Sequence, residues 1–199
     1  NERDYSRLDP ALVSLMKQAY KHIDKFEFKE AEQILFKAMA ADPNHSPIYS
    51  SLGGIYAYNA EMDLAIKYFK KAIELDSKNE EAYSQLSMRY FYAQQYSLAV
   101  ETIFEMIKNI PDSDEAYEKL AQIYFKQKEY GKLEEVLKKA DEKFPDSLIF
   151  SKLWASYYLM NGKIQESELK FAKAASLEEK YLSPLTIENY RRIKESVLE

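Results

Sequence analysis

The sequence predicts an all-α fold, and three observations carry that expectation. Glycine and proline are sparse, 4 and 6 in 199 residues, whereas Ala, Leu, Glu, Lys and Tyr abound, a composition that favours helices joined by short turns. A pattern of residue types recurs at an interval of 34: Tyr49, Leu52, Gly53 and Tyr56 are followed by Tyr83, Leu86, Ser87 and Tyr90, then by Tyr117, Leu120, Ala121 and Tyr124. Within each copy these residues stand three, one and three apart, which sets them on one stripe of an α-helix. With 46% hydrophobic and 14% aromatic residues, the chain has enough apolar material to bury a core.

The opening NERDYSRL is polar, and residues 1–11 read as an arm leading into a helix start. Asp9 is the expected N-cap, Pro10 the first helical residue, and Leu8 a staple onto Val13. Residues 12–45 form the first copy, with Ala19, Phe28, Ala31, Leu35, Ala38 and Pro43 in register, but with Gln18 and His22 where later copies have Leu and Tyr. A divergent first unit is expected of a stack whose outer face meets solvent.

Residues 46–79 are the reference copy, continuing with Ala65, Phe69 and Ala72. Residues 80–113 repeat it with Tyr96, Ala99, Ile103, Met106 and Pro111, and residues 114–147 with Tyr130, Leu133, Leu137, Ala140 and Pro145. Residues 148–181 depart most, with Ser151, Trp154 and Ser167 at signature positions, yet Ala155, Tyr158, Gly162, Phe171 and Ala174 keep the register.

Positions 20, 24 and 27 of each copy mark a second helical stripe, and the few polar residues between the stripes, such as Asn59-Ala60-Glu61, allow only a tight turn. Each copy is therefore expected to be an antiparallel helical hairpin. Small residues at position 8 (Gly53, Ser87, Ala121, Ala155) and position 20 (Ala65, Ala99) let the two backbones approach. Pro43, Pro111 and Pro145 end the second helices, because a proline disfavours helix in the residue before it. In residues 182–199, Ser183 as N-cap, Pro184 and a stripe of Ile187, Tyr190, Ile193 and Val197 predict an eleventh helix that covers the last hairpin.

The run Tyr49, Leu52, Gly53, Tyr56 with Ala65, Phe69 and Ala72 resembles the tetratricopeptide repeat, with Tyr in place of its first Trp. The resemblance implies a right-handed superhelical solenoid of five helical hairpins plus a C-terminal capping helix, working as a protein-interaction scaffold. It also implies that the first-helix residues outside the signature line a concave groove. The carboxylate clamp of chaperone-binding members requires Lys, Asn and Arg along that stripe; here Met16, Tyr20, Ser50, Gly54, Ser84 and Met88 stand there, so a clamp is not expected.

The unused stripe supplies the candidate site. Position 9 adds Tyr20, Met88 and Gln122, position 12 adds Ile23, Phe91, Phe125 and Leu159, and position 13 adds Tyr58, Tyr92 and Met160. Position 12 has a plain structural explanation, contact between adjacent first helices. Position 13 and Met88 lack one, because an exposed aromatic forfeits the roughly 1.5–3 kcal/mol that its burial gains. A peptide or amphipathic helix laid over these residues is the expected partner.

Other chemistry is thinly represented. The net charge of -5 argues against a partner held through phosphates, and no basic stripe supports nucleic-acid binding. There is no cysteine, and the two histidines, His22 and His45, fall in no metal-binding or hydrolase spacing. His22, in place of a packing Tyr, is expected to be structural, its polarity met by a neighbour. No cofactor, metal, membrane span or catalytic role is expected.

The chain begins at Asn1 without methionine, as a processed product or an excised fragment would. A soluble compartment is expected, the cytoplasm ahead of an exported location. The alternative reading is a non-catalytic targeting or substrate-positioning domain of a larger enzyme, since TIENYRRI resembles the link into glycan-modifying esterase domains of the SGNH type. Self-association through the groove or the ends is a third.

Overall fold

The structure, a computed structural model, describes residues 9–181. Its ten helices alternate without a strand among the described residues: α1 Pro10–Asp24, α2 Phe28–Ala41, α3 Ser46–Tyr58, α4 Met62–Leu75, α5 Glu80–Tyr92, α6 Tyr96–Asn109, α7 Asp114–Gln127, α8 Tyr130–Lys143, α9 Leu148–Met160 and α10 Ile164–Tyr181. The predicted staple at Leu8 and the eleventh helix, with Ile187, Tyr190, Ile193 and Val197, lie outside the described residues.

Four of the five first helices of the hairpins, α1, α5, α7 and α9, start at a residue whose side chain substitutes for a missing intrahelical acceptor. Asp9 accepts from the Ala11 N–H at 2.9 Å and Asn79 from Ala82 at 2.9 Å. Ser113 and Ser147 do the same for Ala116 and Phe150, at 3.0 and 3.4 Å. His45 holds the corresponding place before α3 without a side-chain cap, and Pro47 lacks one of the N–H groups that would need an acceptor.

The turns inside the hairpins share one geometry. Phe26, Ala60, Gln94, Lys128 and Gly162, again 34 apart, all have φ between 59° and 71°. Around Ala60, its N–H donates to Ala57 O at 3.2 Å and the Glu61 N–H reaches back to Tyr56 O at 2.9 Å, the paired bonds of a Schellman end. Four of the five turns place a side chain where glycine is favoured. The second helices end differently: Asp42, Ile110 and Phe144, each before a proline, leave helical geometry while their N–H groups still donate to Ala38, Met106 and Ala140.

Contacts divide the chain into two compact units, Asn1–Ala116 and Tyr117–Glu199. The division falls inside α7 and coincides with none of the repeat boundaries read from the sequence. In the first unit α1 packs on α2, α3 on α4 and α5 on α6, with α2 against α3 and α4 against α5. Leu35, Leu52, Phe69, Tyr83 and Ile103 are buried in its core.

A polar seam runs between its hairpins. Asn79 Nδ2 donates to Ser46 Oγ at 2.7 Å and to Ser50 Oγ at 2.8 Å, and Ser46 donates to Ala72 O at 2.9 Å. One repeat later, Ser84 donates to Glu115 at 2.5 Å and Ser113 to Glu80. Serines 46, 50, 84 and 113 are buried, so these bonds satisfy groups that would otherwise be stranded away from water.

In the second unit α9 packs on α10 and against α8. Tyr117, Phe144 and Phe150 form a ring cluster at 5.8 and 5.7 Å, and Trp154 packs on Tyr157 and Tyr158. Tyr157 donates to Glu134 Oε2 at 2.8 Å. Burial, then this carboxylate partner, pushes its phenol up to about 12.

Candidate partner-binding surface

The unused first-helix stripe ends on the last turn before each positive-φ residue, and this decides how far its side chains are covered. In the first and third repeats positions 9 and 12 are partly covered: Tyr20, Ile23, Met88 and Phe91 are half-buried. Position 13 lies beyond them, so Tyr58 and Tyr92 are each 65% exposed.

In the first unit the rings gather in two groups. Tyr58 lies 4.4 Å from Phe28 and 6.3 Å from Phe26, and Phe26 meets Phe28 edge-on at 6.0 Å. Phe91 contacts Tyr92 at 5.5 Å and Tyr96 at 5.7 Å, both edge-on. The Arg89 guanidinium stands 5.8 Å from the Tyr92 ring, and its Nε is buried without a hydrogen-bond partner.

Phe26, Phe28 and Tyr96 were not among the residues that sequence singled out. Phe26 is 70% exposed and occupies the positive-φ position that Gly162 fills in the last hairpin. A bulky ring at a strained turn was the available signal. Phe28 and Tyr96 were counted as keeping the repeat register, yet Phe28 also packs on the exposed Tyr58 and Tyr96 on the half-buried Phe91.

The second unit carries the candidates Gln122, Phe125, Leu159 and Met160. Phe125, Leu159 and Met160 are substantially exposed, and Gln122 is half-buried with its amide donating to Glu118 at 2.8 Å.

The clamp positions have a physical reason for carrying no base. Met16, Ser50 and Ser84 are buried at 0%, 4% and 6% exposure, and the serines are committed to the seam. His22 is tied down as expected, with Nδ1 2.6 Å from Glu27 Oε2. Among the described residues no group of three or more His, Cys, Asp or Glu could hold a metal ion, and no helix is long and apolar enough to cross a membrane.

The family model described as tetratricopeptide repeat matches residues 46–79 and 114–145, the second and fourth copies of the pattern. These copies are tetratricopeptide repeats. A crystal structure of MamA is similar over 82% of this chain and 95% of its own, at 27% identity and a TM-score of 0.67. MamA residues 41 to the end from Desulfovibrio magneticus RS-1 align over 88% of this chain and 99% of that one, at 17% identity and a TM-score of 0.68. PilF of Pseudomonas aeruginosa gives 16% identity and a TM-score of 0.71, over 83% of this chain and 76% of its own. The latter two likenesses speak for the fold alone. No curated protein sequence matches the chain. The fold is that of an all-α tetratricopeptide-repeat solenoid, and a protein-interaction scaffold is the role such repeats indicate.

Proposed function

We propose that the first-helix face of Asn1–Ala116 binds an extended peptide or an amphipathic helix of a partner protein through its exposed rings, without catalysis. The carrying observation is the pair Tyr58 and Tyr92. They stand one repeat apart, are equally exposed, and are each held by aromatic neighbours rather than free to fold back. Ordered rings cost little entropy to immobilise, and burying their remaining surface is the gain that a partner would collect.

Affinity capture from lysate with the wild-type chain and a Tyr58→Ala/Tyr92→Ala variant tests this reading. Both residues are exposed, so the variant should keep the helical circular dichroism and thermal midpoint of the wild type. A protein retained by the wild type and lost by the variant supports the site. Equal retention by both, with the fold intact, removes it.

A further inference from the structure

A cleft of about 410 Å³ opens on the first unit between α4 and α6, with α5 as its floor. That lies within the roughly 300–1,000 Å³ of ligand sites. Leu86 and Tyr90 form the buried base, Ile73 and Leu98 the apolar sides, and Glu74, Glu101 and Glu105 the rim, against one rim cation, Lys70. Glu74 also pairs with Lys71 at 2.7 Å, and Glu105 accepts from the Tyr83 hydroxyl at 3.2 Å.

The preceding repeat provides an internal comparison. At position 23 it has Tyr68, whose ring stacks on Tyr56 at 5.2 Å and 11°, covering the counterpart of Tyr90. Here position 23 is Thr102, too short to do so, and its hydroxyl donates to Leu98 O at 2.7 Å. Positions 22 and 26 change from Lys67 and Lys71 to Glu101 and Glu105. The aromatic plug is gone and the charge at two positions is reversed. Tyr90 is itself buried, at 6% exposure, and in place of a stacked ring it has the chain's own ammonium beside it, Lys70 Nζ at 5.9 Å from the centroid.

We infer that this cleft is a subsite for an arginine side chain of a basic peptide segment. Its methylenes lie along Leu86, Ile73 and Leu98, and its planar guanidinium takes the place of Lys70 over Tyr90 and donates to Glu101 and Glu105. Arginine fits better than lysine because a flat fork can stack on a ring and still meet two carboxylates. With Glu74 already paired to Lys71, Glu101 and Glu105 face one rim ammonium, Lys70; that excess of carboxylate selects a cation, and the apolar floor selects one with a stem. At 100° per residue, Leu86 and Tyr90 lie about 200° around α5 from Met88 and Tyr92, so the inference does not depend on the aromatic face binding anything.

The probe is N-acetyl-arginine amide, titrated into the ¹⁵N-labelled chain, with N-acetyl-norleucine amide as the uncharged control. Saturable shifts of the Leu86, Tyr90, Leu98 and Thr102 amides are expected, with a Kd on the order of millimolar for a lone side chain. Glu101→Gln/Glu105→Gln should weaken binding at least about tenfold, as loss of a charge-assisted pair does. Thr102→Tyr, which restores the plug of the preceding repeat, should abolish it. Absence of saturable shifts, equal shifts with the norleucine amide, or binding that survives both variants would overturn the inference.

Discussion

A Cβ built on Gly53 would stand 2.7 Å from Cε1 of Phe69, so α3 and α4 meet at a distance that only glycine permits. Phe69 is fully buried. In the fifth repeat the corresponding pair is Ala155 and Phe171, and there the phenylalanine is 46% exposed. Of these two repeats, the one with glycine on the first helix is the one that buries the second-helix ring.

Gly53→Ala is therefore expected to destabilise the first unit by about 1–3 kcal/mol, the usual range for overpacking. Gly53→Ala with Phe69→Leu should cost less than the two single changes summed, since the shorter side chain gives way to the new Cβ. Chemical denaturation of these variants and of Phe69→Leu alone measures the coupling, and single losses that simply add in the double variant would show that the ring is not what the Cβ meets.

The hairpin turns predict an improvement. Ala60 is exposed with φ 62°, a conformation costing an L-residue roughly 1–2 kcal/mol. Glycine removes that cost and gives back about 0.4–1 kcal/mol in unfolded-state entropy. Ala60→Gly should thus raise stability by roughly 0.5–1 kcal/mol, whereas the β-branched Ala60→Val should lower it. A thermal midpoint that falls for Ala60→Gly contradicts the turn geometry.

Asn79 joins a helix cap to the seam between two hairpins. Asn79→Ala leaves the Ala82 N–H uncapped and withdraws a donor from Ser46 and Ser50. A loss of about 2 kcal/mol is expected, the upper part of the capping range. Asn79→Asp keeps the acceptor for Ala82 and should cost less. Urea midpoints for the two variants decide the order.

The Tyr157 phenol predicts an alkaline limit. Its pKa is raised in the folded chain to about 12, against roughly 10 when unfolded, so the folded state holds its proton longer. That contribution is complete below about pH 10 and is lost as pH rises towards about 12. Tyr157→Phe lacks the bond to Glu134 and should be less stable at pH 8 by about 1 kcal/mol, with the gap narrowing above pH 10. A gap that stays constant up to pH 11.5 would contradict the assignment.

Much of the helical arrangement was legible because each hairpin repeats its reasons. The stripe of Tyr83, Leu86, Ser87 and Tyr90 and the prolines after α2, α6 and α8 are local signals that repetition makes unambiguous, and Asp9 before Pro10 marks the first helix start. The candidate surface was less legible. Periodicity put Met88 and Phe91 on the same stripe as Tyr92, but graded burial along α5 separates them, and that depends on where the helix ends against its neighbours. Phe26 escaped because no helical pattern extends into a turn. The cleft over Tyr90 escaped for another reason: Thr102 in place of Tyr68 reads as an ordinary second-helix substitution until the space between α4 and α6 is seen.

The most direct measurement is photo-cross-linking from positions 58 and 92, each carrying a photoreactive phenylalanine analogue in turn, with the exposed Phe36 on α2 as the control position. A shared partner trapped from 58 and 92 but not from 36 is the predicted result. A partner trapped from 36 alone, or equally from all three positions, would contradict the assignment of binding to the first-helix face.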